Sequence, residues 1–553
     1  VRASKTILLL VTLVVGCGDQ NEIDCLSNSN ERYGGASGKE LAKEQVFRKN
    51  NGAEPGTLDP HRAEGVPASN VLRDLFEGLV IELPNGDYVP GVAESWSVSN
   101  DSKTYVFTLR KNAKWSNGDT LTAADYVFSL KRSVDPKTLS NYSSMLYPIK
   151  NARDIVLGEK QANELGVYAE DTTTLIVELE EPTPYFLSLL THSTTYPVHK
   201  ASVEKLGALF TRPGNLISNG AFKLEEWRVQ SHTKLVRNTQ YWDNKNTTLS
   251  EVYYYSLDEP NSALKRYRAK ELDFTDTTPL EQLPLIRACM ADEYRVAPYF
   301  GSYYYGYNNT KPPFKNNPGL RTALNMAIDR EILVNIVIGA GQIPAYSFVP
   351  PVKTFQPIEP EWSKWTQEQR STEALRLYME AGYSKEKPLK IEILYNTSEN
   401  HKKVALAVAA MWKQTLGVQT TLRNQEWKVF LETRRLKNET QIFRGGWIGD
   451  YDDPYTFSQL LHSENEMNHA GYNSSKYNDL VDLAATKNAG EERFDDLRAA
   501  EQLLMKDLPI IPLYYYVSQH MIKPWVFGLE DNVMDHHYSK YVKILKREPI
   551  EQK

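Results

Sequence analysis

The stretch Arg444-Gly445-Gly446-Trp447-Ile448-Gly449-Asp450-Tyr451-Asp452-Asp453-Pro454-Tyr455-Thr456-Phe457 packs a cation, large aromatic anchors and three acids into fourteen residues. Its glycines leave the backbone open to close approach by another group, and its rings offer apolar faces, some ending in a polar handle. That is the composition of a binding groove. A second block lies far upstream: Pro90-Gly91-Val92-Ala93-Glu94-Ser95-Trp96, leading into Tyr105-Val106-Phe107-Thr108-Leu109-Arg110.

Together the two blocks resemble a known family along almost the whole chain after the first fifty residues. The spacing Arg-x-x-Trp-x-x-Asp-Tyr-x-x-Pro is similar to the ligand-facing segment of the extracytoplasmic oligopeptide-binding proteins that feed ABC importers. The upstream block is similar to the signature of the wider group of peptide, nickel and opine receptors. The resemblance implies an α/β, two-lobed periplasmic-binding-protein type II fold with an additional inserted subdomain, its lobes joined by two crossing strands. The first lobe would comprise 45–299 plus 517–553, with the inserted subdomain at about 78–201, and the second lobe 300–516.

The residue pattern is consistent with a mixed α/β chain. Runs over 104–109, 174–179 and 389–394 alternate as strands do, and 320–338, 401–416 and 492–507 follow helical spacing. Ser398 and Asn400 mark the start of the helix at His401, and Gly417 its stop. Tyrosine triplets at 253–255, 303–305 and 514–516 would each send the middle ring to one face of a strand and the outer rings to the other.

Composition excludes some functions. With 553 residues, 41% hydrophobic and 24% charged, the chain can build two or three cored subdomains. A net charge of -6 and a pI near 6.0 argue against a nucleic-acid surface, which needs a basic excess.

Arg2 and Lys5, the apolar run from Ile7 to Val15, and Gly16-Cys17 read as a secretory signal, too short to span a membrane. Val14-Val15-Gly16-Cys17 resembles a lipobox, in which Cys17 would become the lipidated first residue of the mature protein. Residues 18–44 read as a flexible tether. Cys25 and Cys289 would remain, either as a disulfide or as two free thiols. Related receptors hold a disulfide across positions matching Gly301 and Ile448, which carry no cysteine here.

A receptor for varied peptides must read what all peptides share: the ammonium, the backbone and the carboxylate. Asp450 suits the ammonium, since opposite charges 4 Å apart at an effective dielectric near 20 gain about 4 kcal/mol before desolvation. The bland alternative is an acid capping a turn. Arg444, one of Arg434 and Arg435, and His401 are candidates for the carboxylate, by bidentate guanidinium or imidazole donation. The backbone would be read by strand addition, with Glu64-Gly65-Val66 and the segment after Arg444, including Gly446, on either side. Trp427, Trp447, Tyr142, Tyr299 and Tyr515 match aromatic positions that line the family's pockets. One departure stands out: where the family carries a lysine among its carboxylate-binding cations, this chain has Ile338, which would narrow the range of peptide lengths.

Enzyme signals are weak. There is no G-x-S-x-G or H-E-x-x-H, and the glycine-rich run at 34–39 falls one residue short of a P-loop. Asp535-His536-His537 could bind metal but reads as a solvated pair, so neither metal nor cofactor is expected. The expected partners are oligopeptides, the permease and ATPase subunits of an ABC importer, and the membrane through the lipid; the protein itself is expected to be a monomer. A murein-peptide receptor of the same fold and a secreted glycoside or peptide hydrolase are the alternatives.

Overall fold

The computed structural model describes residues 40–352 and 355–547. The leader over 1–17, most of the tether and the 34–39 run lie outside them. Residues 40–44, expected to end the tether, are fastened instead: Leu41 bridges Leu545, and the Ala42 amide donates to the Ile544 carbonyl at 2.8 Å. Cys289 is disulfide-bonded, so it is not a free thiol; Cys17 and Cys25 lie outside the described residues.

One four-stranded sheet is ordered Val46–Asn50, Glu251–Tyr255, His232–Arg237, Phe222–Arg228. Alternation sends Phe47, Val252, Leu235 and Phe222 into a core shared with Val71, Leu72 and Leu75 of the helix Val66–Leu75. A second four-stranded sheet is ordered Ala93–Val98, Thr104–Leu109, Thr174–Glu178, Val167–Ala169. The helix Ala123–Val134 packs against it, started by a capping box between Thr122 and Asp125.

The third sheet has six strands, ordered Ile343–Pro344, Ile510–Met521, Tyr294–Tyr307, Ile442–Ile448, Lys390–Asn396, Gln419–Gln425. Two of these, Tyr294–Tyr307 and Ile510–Met521, are long and antiparallel, and they link this sheet to the first one. Phe274 makes the join, bridging Lys49 of the first sheet on one side and Ile522 on the other. Between Pro298 and Ser302 the register of the long pair shifts. Pro298 has no amide hydrogen to donate there, and Tyr299 occupies the break.

The helix at His401 runs Glu399–Leu416, from Ser398 as N-cap to Gly417 at φ 79°. The stretch 320–338 is not one helix. Pro318–Met326 ends, and Asp329 then caps a new start by accepting from the Ile332 amide before a π-helical turn over Leu333–Ile338. Ile338 is 3% exposed and packs in a hydrophobic core with Leu333, Val334 and Ala340, so it does not face a ligand cleft, contrary to expectation. Gly301 pairs with Ile448 across adjacent strands.

Candidate binding site

A cleft opens where the long strands cross, walled by the start of the helix Val66–Leu75 on one side and by the strand Ile442–Ile448 on the other. The space open to the centre of a water molecule is about 340 Å³, within the range of sites that enclose small ligands. Of the residues singled out from sequence, Glu64, Gly65, Val66, Tyr142, Tyr299, His401, Trp427, Arg434, Arg444, Gly446, Trp447 and Asp450 line it.

Asp450 follows the end of the strand. Its side chain is 11% exposed, and the His192 Nε2 lies 3.6 Å away. Burial pushes the Asp450 carboxyl up to about 8, against smaller opposing effects from the Thr456 hydroxyl and the Arg73 guanidinium. His192 offers no compensating charge, since burial lowers it to about 3. What remains of the turn-capping role is a contact at 3.5 Å in which the Thr456 hydroxyl donates to the Asp450 carboxylate, while the Asp450 backbone amide donates to that hydroxyl at 3.1 Å. Tyr142 covers the acid's surroundings, stacked on Trp447 at 6.2 Å and tilted against His192 at 5.0 Å.

Arg444 lies further back on the same strand. It donates to the Tyr516 hydroxyl at 2.6 Å and reaches the Asn396 side-chain oxygen at 3.4 Å, with its guanidinium 5.0 Å from the Tyr303 ring centre. Among the described residues no carboxylate lies within ion-pair distance of it. Gly446 permits this arrangement, because a Cβ there would sit 2.6 Å from the Tyr516 hydroxyl. Gly445 does not line the cleft as expected, since a Cβ there would strike the Tyr304 ring; Gly449 does line it, with the Phe300 ring 2.6 Å from where its Cβ would stand.

Arg434 and Arg435 divide their roles. Arg434 lines the cleft and Arg435 turns to the surface, yet both hold Glu64, at 2.8 and 2.6 Å. Glu64 is thus held in an ion pair, and Glu64, Gly65 and Val66 line the cleft from a loop and a helix start rather than from a strand. Gly65, at φ +84°, is the N-cap of a helix, and a Cβ there would meet Trp427 at 2.8 Å. His401 sits with its Nδ1 3.4 Å from the Tyr303 hydroxyl, and burial together with Arg444 holds it well below the usual imidazole range. It is a neutral hydrogen-bonding group rather than a cation.

Tyr515 does not line the cleft. Strand alternation turns it to the opposite face, where its hydroxyl lies 2.6 Å from that of Ser347, while Tyr516 takes the place on the cleft side. Arg73, His192, Asp276, Asn396 and Tyr304 were also missed. The alternation of the triplet could have pointed to Tyr516; nothing local marks Arg73 or His192. His536 and His537 are not a solvated pair. Their side chains are 12 and 8% exposed and engage Glu82 and Asp535.

The family model described as bacterial extracellular solute-binding proteins, family 5 Middle, matches residues 87–469. The chain belongs to that family. It is 45% identical over 516 residues to the periplasmic oligopeptide-binding protein OppA of Salmonella typhimurium, covering 92% of this chain and 94% of that protein. It superposes on Haemophilus influenzae OppA in complex with RPPGFSPFR with a TM-score of 0.89 at 40% identity, covering 92% of this chain and 100% of the other. Two structures of the murein tripeptide-binding protein MppA, the first that of Escherichia coli, are each 41% identical and cover 92% of this chain, and they differ in their match. One, covered in full, gives a TM-score of 0.89; the unliganded open form, 99% covered, gives 0.65. At equal identity the difference lies in shape, and the present arrangement of lobes departs from the open one.

Proposed function

We propose that this solute-binding protein captures short oligopeptides in the cleft and delivers them to an ABC importer. The observation that carries the reading is a pair of ionisable groups without charged partners in one cleft. Arg444 has no carboxylate among the described residues, and Asp450 has only a neutral imidazole within ion-pair distance. A free peptide brings the two missing charges. From Arg444 to Ile448 the strand spans about 13 Å, at about 3.3 Å per residue, which suits an extended peptide of about three to five residues. The strand's far edge is paired at Ile442 and Phe443 only, so the backbone beyond is free, among the described residues, for strand addition. OppA and MppA, the relatives described above, carry peptide-binding names that agree with this reading.

Export through 1–17, a lipid on Cys17 and membrane attachment by it belong to the same proposal, as do a monomeric state and the division into lobes of 45–299 plus 517–553 and 300–516. Support for anchoring comes from the lipobox alone. No helix among the described residues is long and apolar enough to cross a membrane. The hydrolase alternative is weakened by the commitment of the neighbouring acid Asp453, which clamps Arg493 at 2.8 and 2.9 Å. Calorimetry with unmodified tri-, tetra- and penta-alanine, followed by mass spectrometry of the recovered ligand, tests the reading. Intact peptide bound at one per protein supports it; no binding at any length, or cleaved peptide, overturns it.

One observation favours the murein alternative. Arg73 faces the cleft close enough to Asp450 to lower it, donating to the Asn70 side-chain oxygen at 3.2 Å, with no carboxylate within ion-pair distance among the described residues. A γ-linked glutamate leaves an extra carboxylate near the peptide amine, where Arg73 would meet it. Tighter binding of a γ-linked tripeptide than of its α-linked isomer, lost in Arg73→Gln, would decide for it.

A further inference from the structure

His520 ends the second long strand, and Asp535 and His537 come from the segment that folds back beside it. One donor atom from each, two imidazole nitrogens and a carboxylate oxygen, lie within 4.8 Å of one another. The His520 Nε2 is 2.8 Å from one oxygen of Asp535 and 3.1 Å from the other; the His537 Nε2 is 2.9 Å from the first. We propose that His520, Asp535 and His537 bind one divalent transition-metal ion of the zinc and nickel class, with a coordination position open to the cleft.

The hydrogen-bond geometry of His520 points to a positive occupant. Its Nδ1 lies 3.0 Å from the Thr275 carbonyl oxygen, which can only accept, so Nδ1 carries its hydrogen. In the neutral ring the Nε2 lone pair then faces an ionised carboxylate, another acceptor, and something positive must sit between them: an added proton or a metal ion. Metal-ligating histidines are held in this way, with the other ring N–H on a backbone carbonyl. Imidazole and carboxylate are also the donors that suit zinc and nickel.

Room and access agree. At metal–ligand distances of about 2.0–2.1 Å, tetrahedral donors stand about 3.3 Å apart, so the two nitrogen–oxygen spacings of 2.8 and 2.9 Å must open by roughly half an ångström. The side chains of His520, Asp535 and His537 are 5, 14 and 8% exposed, and the first two line the cleft. Three protein ligands with a path to solvent make an open site rather than a closed structural one. His536 is not part of it, since its Nδ1 is turned to Glu82 at 2.6 Å. Lys49 is the nearby opposing cation; its ammonium rests 5.0 Å from the ring centres of Tyr254 and Phe274 and is faced by Asp74, by the proposed ligand Asp535 and by Asp276.

The test uses tag-free protein treated with a chelator, titrated with cobalt(II) by visible absorption and with zinc by calorimetry. The expected result is one equivalent, a cobalt band of tetrahedral intensity, and its loss when zinc is added. Outer-shell partners alone are worth 10–100-fold in metal affinity, so losing the ligand in His537→Ala should cost about a hundredfold or more. His537 does not line the cleft, and tri-alanine should bind that variant as it binds the wild type. The wild-type spectrum decides without any variant: no cobalt band and no zinc heat overturn the proposal, as does unchanged zinc affinity in His537→Ala. Peptide binding in the absence of metal is the separate readout of the receptor function.

Discussion

Glu64 and Arg434 are 370 residues apart in the chain and 2.8 Å apart in space, with 5 and 6% of their side chains exposed. The pair ties the loop before the helix Val66–Leu75 to the helix Trp427–Leu436 across the cleft mouth. Arg435 adds a second hold on the same carboxylate. Glu64→Gln keeps the shape but removes the charge that balances both guanidinium groups. Hydrogen bonds to charged groups are worth about 1.5–3 kcal/mol, so peptide affinity should fall about ten- to a hundredfold. Small-angle scattering should show a larger, more open particle; an unchanged particle and affinity would mean that the pair does not hold the lobes together.

Asp450 makes peptide binding pH-dependent. Near neutral pH most of the ligand-free carboxyl is protonated, because burial has raised it to about 8. A peptide ammonium favours the ionised form, so binding should release a proton below that pH, and affinity should rise with pH until the peptide amine itself deprotonates near pH 8. Calorimetry in buffers of different ionisation heat measures the release, which should vanish in Asp450→Asn. The N-acetyl penalty should shrink in that variant from its wild-type value of about 3 kcal/mol.

The same residue has the opposite effect on stability. The unfolded chain ionises this carboxyl near pH 4 and the folded, empty protein near 8, so between those values the unfolded state binds fewer protons and stability falls as pH rises. Asp450→Asn should therefore stabilise the empty protein at about pH 8, by up to about 5 kcal/mol, and leave it unchanged below about pH 4. Denaturant midpoints across that range would show it, and equal midpoints at both ends would refute it.

Tyr515 and Tyr516 are neighbours with opposite assignments. Tyr516→Phe removes the hydroxyl that positions Arg444 and should weaken peptides with a free carboxylate by about 1 kcal/mol or more, while sparing C-amidated ones. Tyr515→Phe loses a bond to Ser347 away from the cleft and should cost about 1 kcal/mol of stability with no change in affinity. Titrating both peptide forms against the two variants checks the pair.

Ile338→Lys should not add a carboxylate site. The position lies in the core among Leu333, Val334 and Ala340, and burying an ammonium there should cost about 3 kcal/mol or more of stability. A lowered unfolding midpoint with unchanged peptide preference is expected. A selective gain for one peptide length would return Ile338 to the cleft.

The sequence by itself determined what spacing and local pattern can carry. The strand at Thr104–Leu109, the helix ended by Gly417, and the grouping of Arg444, Trp447 and Asp450 follow from residues close together in the chain, where backbone periodicity and capping act. The tertiary structure decided which charges remain unmatched. Arg434, Arg435 and Arg444 look alike in sequence, but Glu64, 370 residues from Arg434, pairs with the first two, Glu432 adds a second partner for Arg435, and the third is left without a carboxylate among the described residues. His401 reads as a carboxylate donor until its surroundings desolvate it, and His537 reads as solvated until the fold buries it against Asp535 and His520. Tyr515 and Tyr516 differ by one step of a strand, and which face of that strand meets the cleft depends on how the two long strands cross. Charge and exposure are set by neighbours distant in sequence, and chain folding alone brings those neighbours together.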